Sequence, residues 1–225
     1  HPESKTRLSA FKDLPNTTYP DAKDLLTLVH SPSYIEALQR ACKTEQWLNS
    51  DTKTSTRSLE VAMAGVGMAH RAIEEKAFAI MRPPGHHAYP DKATGFCLLN
   101  NIAIITQSLV RQGKRVLIFD FDGHLGDGTE AIFYGSDQVL FWSLHQYPAF
   151  PGNGKVDEIG VDDGKGYTIN VPLPAGTGDD IFMKSIMELL PIADQFNPDI
   201  VAVSAGFDAH LYDPLLGLNV TGNSY

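Results

Sequence analysis

The chain has 225 residues, of which 43% are hydrophobic and 20% are charged, and its formal net charge is -9 at pH 7. This length and composition are typical of one globular domain. The acidic balance argues against direct binding to nucleic acid, and no apolar run is long enough to span a membrane. Two cysteines provide no disulfide framework and favour a reducing cytoplasmic compartment, or the nucleus of a eukaryotic cell.

Helical patterns dominate the first half of the chain. Ser31 followed by Pro32 predicts a helix N-terminus. A longer helix is predicted from about Leu59 to Glu75, and a short strand from Ala77 to Met81. The pattern from 101 to 111 predicts another helix, closed by Gln112-Gly113.

Continuous apolar runs mark strands in the second half. They cover residues 115–121, 138–144 and 199–204, and an amphipathic helix is predicted from Asp180 to Phe196. Strands that are apolar on both faces and alternate with helices indicate a parallel sheet covered on each side. The sequence therefore predicts a single α/β domain over residues 1–225.

Reactive residue types collect where these strands end. The three ends read RPPGHHA (82–88), DFDGH (120–124) and SAGFD (204–208). In open α/β sheets, ligands bind beyond the carboxyl ends of the strands. A ligand site is therefore expected there.

The second strand end predicts a metal site. In an extended segment Asp120, Asp122 and His124 point to one face. Neighbouring carboxylates repel each other unless a cation faces them. Asp122 and His124 could both reach one ion, and Asp208 could complete the three N/O ligands of a catalytic zinc centre. The alternative interpretation is that Asp122 caps a turn and His124 is a hydrogen-bonded loop histidine.

His86 and His87 follow a proline pair and a glycine, which would allow the backbone to turn so that both rings line one site. Two aspartates, Asp120 and Asp127, could pair with them as two histidine–aspartate dyads. The alternative is a surface loop with two solvated imidazoles. A metal centre beside such dyads indicates metal-assisted hydrolysis of a carbonyl or related group. Glu130 is expected to be solvated.

Five ordered motifs together resemble the zinc-dependent histone deacetylase superfamily: RPPGHHA, GFCLLNN (95–101), DFDGHLGDGTE (120–130), SLHQYPAFPGNG (143–154) and SAGFDAH (204–210). RPPGHHA is closer to its class II and acetylpolyamine amidohydrolase branches. HPE at 1–3, Arg7 and the segment from His30 also resemble family positions. The resemblance implies an arginase/deacetylase-like three-layer fold, with an eight-stranded, mostly parallel sheet flanked by helices.

The resemblance also assigns roles to the reactive residues. It implies that Asp122, His124 and Asp208 bind one zinc ion. His86 and His87 would be the paired catalytic histidines, with His87 as the general base. Asp120 and Asp127 would stand behind the first and second histidine, respectively.

Further positions follow from the same resemblance. The substrate channel would be lined by Gly95, Phe96, Phe150 and Leu215. A structural potassium ion would be held through backbone or side-chain oxygens at Asp120, Asp122, His124, Ser143 and Leu144.

Two features depart from the family pattern. Leu125 replaces a usual histidine, which is expected to alter packing and not metal binding. The family's oxyanion-binding tyrosine, in a downstream Gly-Gly-Tyr motif, does not occur before Tyr225. We therefore expect the chain to be incomplete at its C-terminus and also at its N-terminus. Loss of that donor is expected to slow a 225-residue form by about a hundredfold.

The implied function is a zinc-dependent amidohydrolase that removes acetyl groups from lysine side chains of peptides or proteins. One alternative is a small-molecule deacetylase acting on acetylated polyamines. Another is a catalytically impaired, metal-binding homologue. Arginase-like hydrolysis at two manganese ions would need more bridging carboxylates than these motifs offer. The sequence leaves the oligomeric state open.

Overall fold

A computed structural model describes residues 3–14 and 17–225. His1 and Pro2, from the HPE segment, lie outside the described residues. The chain forms two compact units, His1–Ser108 and Leu109–Tyr225. Each unit is described by itself, and the single domain over 1–225 stays a prediction.

The first unit is helical. It begins with two 3₁₀ helices, Lys5–Phe11 and Lys23–Leu28, which are followed by α1 (Pro32–Lys43), α2 (Ser58–Glu75) and α3 (Asn101–Val110). The last two residues of α3 belong to the second unit. The Ser31 Oγ accepts a hydrogen bond of 3.2 Å from the Tyr34 N–H, so Ser31 caps α1 as its sequence predicts. The three predicted helices are confirmed.

The strand predicted from Ala77 to Met81 is wrong. The segment forms no strand, and Phe78 is exposed. A strand requires a hydrogen-bonded neighbour, which an apolar run cannot reveal by itself. No named strand lies in the described part of the first unit.

The second unit alternates strands and helices. Its elements are β1 (Val116–Asp120), α4 (Asp127–Phe133), β2 (Val139–Gln146), β3 (Thr168–Leu173), α5 (Asp179–Phe196) and β4 (Ile200–Ser204), with a 3₁₀ turn at Asp162–Gly164. The predicted β1, β2, β4 and α5 are confirmed, whereas α4 and β3 were missed. The β3 sequence contains Pro172 and alternates polar with apolar residues, so it lacks the continuous apolar run of the other strands.

The four strands form one parallel sheet in the order β3-β2-β1-β4. In this register Asp120, at the end of β1, lies opposite Ser143 on one side and Ser204 on the other. The ends of β1 and β4 are therefore level, and the segments that follow them leave the sheet at the same edge.

The two faces of the sheet have different characters. One face packs Leu117, Trp142 and Leu173 against Phe182 and Phe196 of α5. Since side chains alternate along a strand, Asp120, Ser143, His145 and Asn170 lie on the other face. The second face therefore carries these four polar side chains, all of them buried, beside apolar ones such as Ile118 and Phe141.

The α/β fold class is confirmed, as a parallel sheet flanked by helices. The described residues supply four strands of the eight that the resemblance implies. No helix among them is long and apolar enough to cross a membrane.

Candidate metal centre and histidine turn

Asp122, His124 and Asp208 converge at the carboxyl edge of the sheet. Asp122 and His124 follow β1, and Asp208 follows β4. One ligand atom from each lies within 4.8 Å of the other two, and all three residues are half-buried. Among the described residues, no other group of three or more histidine, cysteine or acidic side chains brings its ligand atoms this close together.

Hydrogen bonds fix the orientation of the three side chains. The His124 Nδ1 lies 2.5 Å from Asp208 Oδ2 and 3.2 Å from Asp122 Oδ1. The Gly123 N–H donates to Asp208 Oδ1 at 2.6 Å, and the His124 N–H donates to Asp122 Oδ1 at 2.9 Å. The turn after β1 therefore supplies two ligands and also holds the third.

The electrostatics favour positive charge between the two carboxylates. Burial lowers the pKa of His124, but the bonds to Asp122 and Asp208 outweigh this and raise the pKa to about 10. Burial and the Asp122 carboxylate raise the pKa of Asp208, and the His124 imidazole opposes that rise. A cation among these atoms would relieve the repulsion between the carboxylates.

Two glycines allow this close approach. A Cβ at Gly206 would collide with the Asp122 carboxylate, and one at Gly123 would collide with Leu216 and approach the Asp208 Oδ1. The donors are one imidazole nitrogen and two carboxylates, a set that suits zinc. The residues present therefore fit a zinc ion.

The remaining aspartates of the motif are more deeply buried. Asp120 is wholly inaccessible, and its Oδ1 accepts from the Asp122 N–H at 3.1 Å. Asp127 is also buried and begins α4. Their predicted roles behind the histidines stay predictions.

The predicted potassium positions share this edge of the sheet. Asp120 and Ser143 are register partners, Leu144 is the next residue of β2, and Asp122 and His124 follow β1. The Gln146 N–H donates to the Gly123 carbonyl at 2.8 Å, which ties the turn to the end of β2. Potassium binding stays a prediction.

His86 and His87 lie in the first unit, at a turn closed by the Ala88 N–H donating to the Gly85 carbonyl at 3.0 Å. Both are nearly inaccessible, and their ring centroids are 4.0 Å apart. The backbone turn predicted from the Pro-Pro-Gly sequence is present, so the two rings lie together. The alternative interpretation, a surface loop with two solvated imidazoles, is wrong because both rings are buried.

Asn100 and His30 hold the segments around this turn. The Asn100 Nδ2 donates to the Ala88 carbonyl at 3.0 Å and to the His86 carbonyl at 3.4 Å, while its Oδ1 caps α3 at Ala103. The His30 Nε2 accepts from the Asn100 N–H at 2.9 Å, and its Nδ1 lies 3.0 Å from the Tyr89 carbonyl. Burial lowers the pKa of His30 to about 4, so its imidazole is uncharged in the folded chain at neutral pH. The sequence motifs gave neither residue this role, although asparagine before a helix is a capping signal.

Gly95 packs directly against His87. It has a φ of +55°, and a Cβ there would collide with the His87 ring. Phe96 follows with a φ of +65°, and its N–H donates to the Thr52 Oγ1 at 3.1 Å. Both predicted channel residues therefore belong to the segment that contacts the histidine turn.

The other two predicted channel residues lie in the second unit. The ring centroid of Phe150 is 6.2 Å from that of His124, and Phe150 is exposed. Leu215 is also exposed, and its N–H donates to Asp213 Oδ1 at 2.8 Å. Phe150 thus lies beside the candidate metal centre.

Two residues of the acidic motif are buried for different reasons. Leu125 is wholly inaccessible and packs near Gly154. A Cβ at Gly154 would lie 3.0 Å from the Leu125 side chain. Glu130, expected to be solvated, is 4% exposed, which makes that expectation wrong. It lies in α4, which the sequence did not predict, and hydrogen bonds to Asn170 and Asn153 compensate for its burial.

The histone deacetylase domain family matches the sequence over residues 1–225. The chain belongs to this family. The recognition made from the motifs is thereby confirmed.

Relatives and solved structures agree with this membership. A probable deacetylase of Archaeoglobus fulgidus is 43% identical over 88% of this chain and 57% of its own length. A crystal structure of a histone deacetylase homologue from Aquifex aeolicus has a TM-score of 0.84 and 32% identity, covering 95% of this chain and 64% of its own. That of acetylpolyamine aminohydrolase from Burkholderia pseudomallei has a TM-score of 0.81 and 28% identity, covering 97% and 76%. The chain thus spans little more than half the length of its curated relatives, 52% in one rice histone deacetylase.

Proposed function

We propose that this chain carries the catalytic machinery of a zinc-dependent deacetylase that hydrolyses the acetyl amide of lysine side chains. The observation that carries the proposal is the convergence of Asp122, His124 and Asp208 at the carboxyl edge of the sheet. Membership of the histone deacetylase family and the buried histidine pair support it. Acetylated lysine peptides or proteins are the proposed substrates.

In this proposal Asp122, His124 and Asp208 hold the zinc ion. A zinc ion in such a centre polarises a carbonyl group and lowers the pKa of water. With two carboxylates and a neutral imidazole as ligands, the zinc centre would have a net charge of zero. The backbone N–H groups of Gly123 and His124 orient the two carboxylates. The ligand set is therefore held in place before substrate arrives.

Proton transfer is assigned to the histidine turn. His87 would take a proton from the attacking water, and the amine would leave protonated. Asp120 and Asp127 would fix the tautomers of His86 and His87, respectively. Because both histidines are nearly inaccessible, their rings are held and shielded from bulk solvent.

The aromatic residues are assigned to the substrate stem. Phe96 and Phe150 would grip the four methylenes of acetyl-lysine, with Gly95 admitting the amide and Leu215 at the rim. A structural potassium ion near Asp120 and Ser143 is part of the same proposal. We also propose a cytoplasmic, or in a eukaryote also nuclear, location.

The test is turnover on acyl-amines with zinc content measured in the same preparations. We expect acetyl-lysine peptide to be deacetylated with one zinc per chain. Asp208→Ala and the isosteric Asp208→Asn should both lose stoichiometric zinc, since each removes a charged ligand. Asp208→Asn retains an acceptor for the Gly123 N–H, so its loss of zinc would not reflect lost folding.

Asp194→Ala, on the exposed surface of α5, is the matched control and should retain zinc and activity. Undiminished zinc in Asp208→Asn would overturn the assigned metal site. Efficient turnover of acetylputrescine without turnover of acetyl-lysine peptide would replace the protein substrate with a polyamine. Zinc retention without turnover of any acyl-amine would favour a metal-binding homologue.

A further inference from the structure

A loop of the second unit carries Phe150 past the candidate metal centre. It follows β2 and runs from Tyr147 to Glu158. Phe150 is 43% exposed, and its ring lies edge-on to that of His124. The placement of this loop therefore sets where Phe150 lies relative to His124.

The buried carboxyl of Glu130 reaches this loop through two asparagines. Its Oε1 accepts from the Asn170 Nδ2 at 2.6 Å, and its Oε2 accepts from the Asn153 Nδ2 at 3.4 Å. The same Asn170 nitrogen donates to the Glu158 carbonyl at 3.1 Å. One side chain of α4 is thus linked to the loop near its middle and at its end.

Neighbouring contacts complete the attachment of the loop. The Gly154 N–H donates to Glu158 Oε2 at 2.7 Å, and the His145 Nε2 lies 2.9 Å from the Gly154 carbonyl. Gly154 has a φ of +94°, and a Cβ there would collide with the His145 ring. Glycine at this position therefore permits the loop to lie against β2.

The carboxyl of Glu130 is surrounded by neutral partners and like charge. Asp127 faces it from α4 and Glu158 from the loop, and burial lowers the pKa of nearby His145. Burial raises the pKa of Glu130 to about 7; the Asn170 bond opposes this, and Glu158 and Asp127 reinforce it. Its protonation state therefore changes near neutral pH.

We propose that Glu130 is a positioning residue that anchors the Tyr147–Glu158 loop, and with it Phe150, through Asn153 and Asn170. Glu130 acts on the loop and not on the substrate. The consequence for turnover rests on the proposed function, because Phe150 affects KM only if it lines the substrate channel. The anchoring itself is independent of that function.

The pH dependence of anchoring has a definite sign. When the loop opens and water reaches Glu130, its pKa returns toward 4.5, so the closed loop binds the proton more tightly. Closure is therefore favoured at low pH and weakens as the pH rises from 4.5 through about 7. Above this range the loop should open more often, by on the order of tenfold relative to pH 5.5.

Hydrogen exchange in the peptide 147–158, corrected for the intrinsic pH dependence of amide exchange, measures this opening. Glu130→Gln carries no charge at any pH and should lose the pH dependence. Asn153→Ala removes the loop's own hydrogen-bond donor to Glu130. Since Asn153 is only half-buried, the variant should keep the fold, and its loop should open about fivefold more often. Glu188→Gln, exposed on α5, is the charge-matched control and should exchange like the wild type.

Kinetics on acetyl-lysine peptide give the second measurement. Asn153→Ala should raise KM about fivefold and change kcat less than about twofold, since it displaces a channel wall and no reacting group. Wild-type pH dependence in Glu130→Gln, or exchange of Asn153→Ala at the control's rate, would overturn the anchoring. An unchanged KM with faster exchange would overturn the link to the channel. If the wild type turns over no acyl-amine, the proposed function fails, while the exchange measurements still decide the anchoring.

Discussion

The acidic strand end and the histidine turn are stabilised in opposite ways. At the strand end, Asp122 and Asp208 are held beside one another with His124 between them, and their mutual repulsion calls for a cation. Around the histidine turn, the backbone is held by neutral groups, the His30 imidazole and the Asn100 amide. The first region should therefore respond to metal, and the second to packing and acid.

This difference matters because a metal centre and a proton-transferring base need different surroundings. Ligands retain a cation best when their negative charge is concentrated and oriented. An imidazole base needs a fixed tautomer and a fixed ring, and a backbone held by neutral hydrogen bonds helps to keep the ring in place.

The largest expected effect is acid sensitivity through His30. Its pKa is about 4 in the folded chain, below the ordinary 6.5, so it contributes stability above pH 6.5 that is lost as the pH falls toward 4. The full loss is about 3 kcal/mol in the free energy of unfolding. Urea denaturation at pH 7 and pH 4.5 should show this decrease for the wild type and a smaller one for His30→Gln. Equal decreases in the two proteins would show that His30 is not the titrating group.

A second prediction concerns packing at the histidine turn. Gly95→Ala should displace the His87 ring and lower kcat/KM by about a hundredfold, with zinc content unchanged. Gly113→Ala is the matched control, since Gly113 also has a positive φ but open space around it. This control separates the effect of an alanine in a positive-φ conformation from the effect of its collision with the His87 ring. Lost zinc in Gly95→Ala would contradict the independence of the two regions.

The smallest expected effect concerns the strand end. Gly206→Ala should push the Asp122 carboxylate aside and weaken zinc affinity by about thirtyfold, measured by competition with a chelator. Gly135→Ala, where a Cβ meets nothing within 4 Å, should bind zinc like the wild type. Unchanged affinity in Gly206→Ala would show that Asp122 contributes little to the centre.

Several features of the fold and the candidate site could be predicted from local sequence. Ser31 and Pro32 mark the start of α1, and the apolar runs of β1, β2 and β4 mark strands. β1 and β2 are buried on both faces, whereas β4 is partly exposed. The turn at His86 and His87 follows from its Pro-Pro-Gly sequence. Such patterns are local, so they are visible without knowledge of neighbours.

Other features depend on neighbours that the sequence does not reveal. The run from Ala77 to Met81 is apolar but pairs with no strand in the described part of the chain. Glu130 has the residue type of a solvated position, yet α4 turns it toward Asn170 and buries it. Strand pairing and the burial of Glu130 both depend on residues distant in sequence, so no local pattern could indicate either outcome.

The sequence by itself determined which residues could serve as ligands, because acidic residues and a histidine follow apolar strands in motifs of a known family. Only the tertiary structure decided that Asp208 meets the turn at Gly123, 85 residues earlier in the chain. The parallel register of β1 with β4 makes this possible, since it brings two strand ends level at one edge. The structure also decided that Glu130 is buried, because the asparagines that satisfy its carboxyl come from β3 and from the loop that carries Phe150.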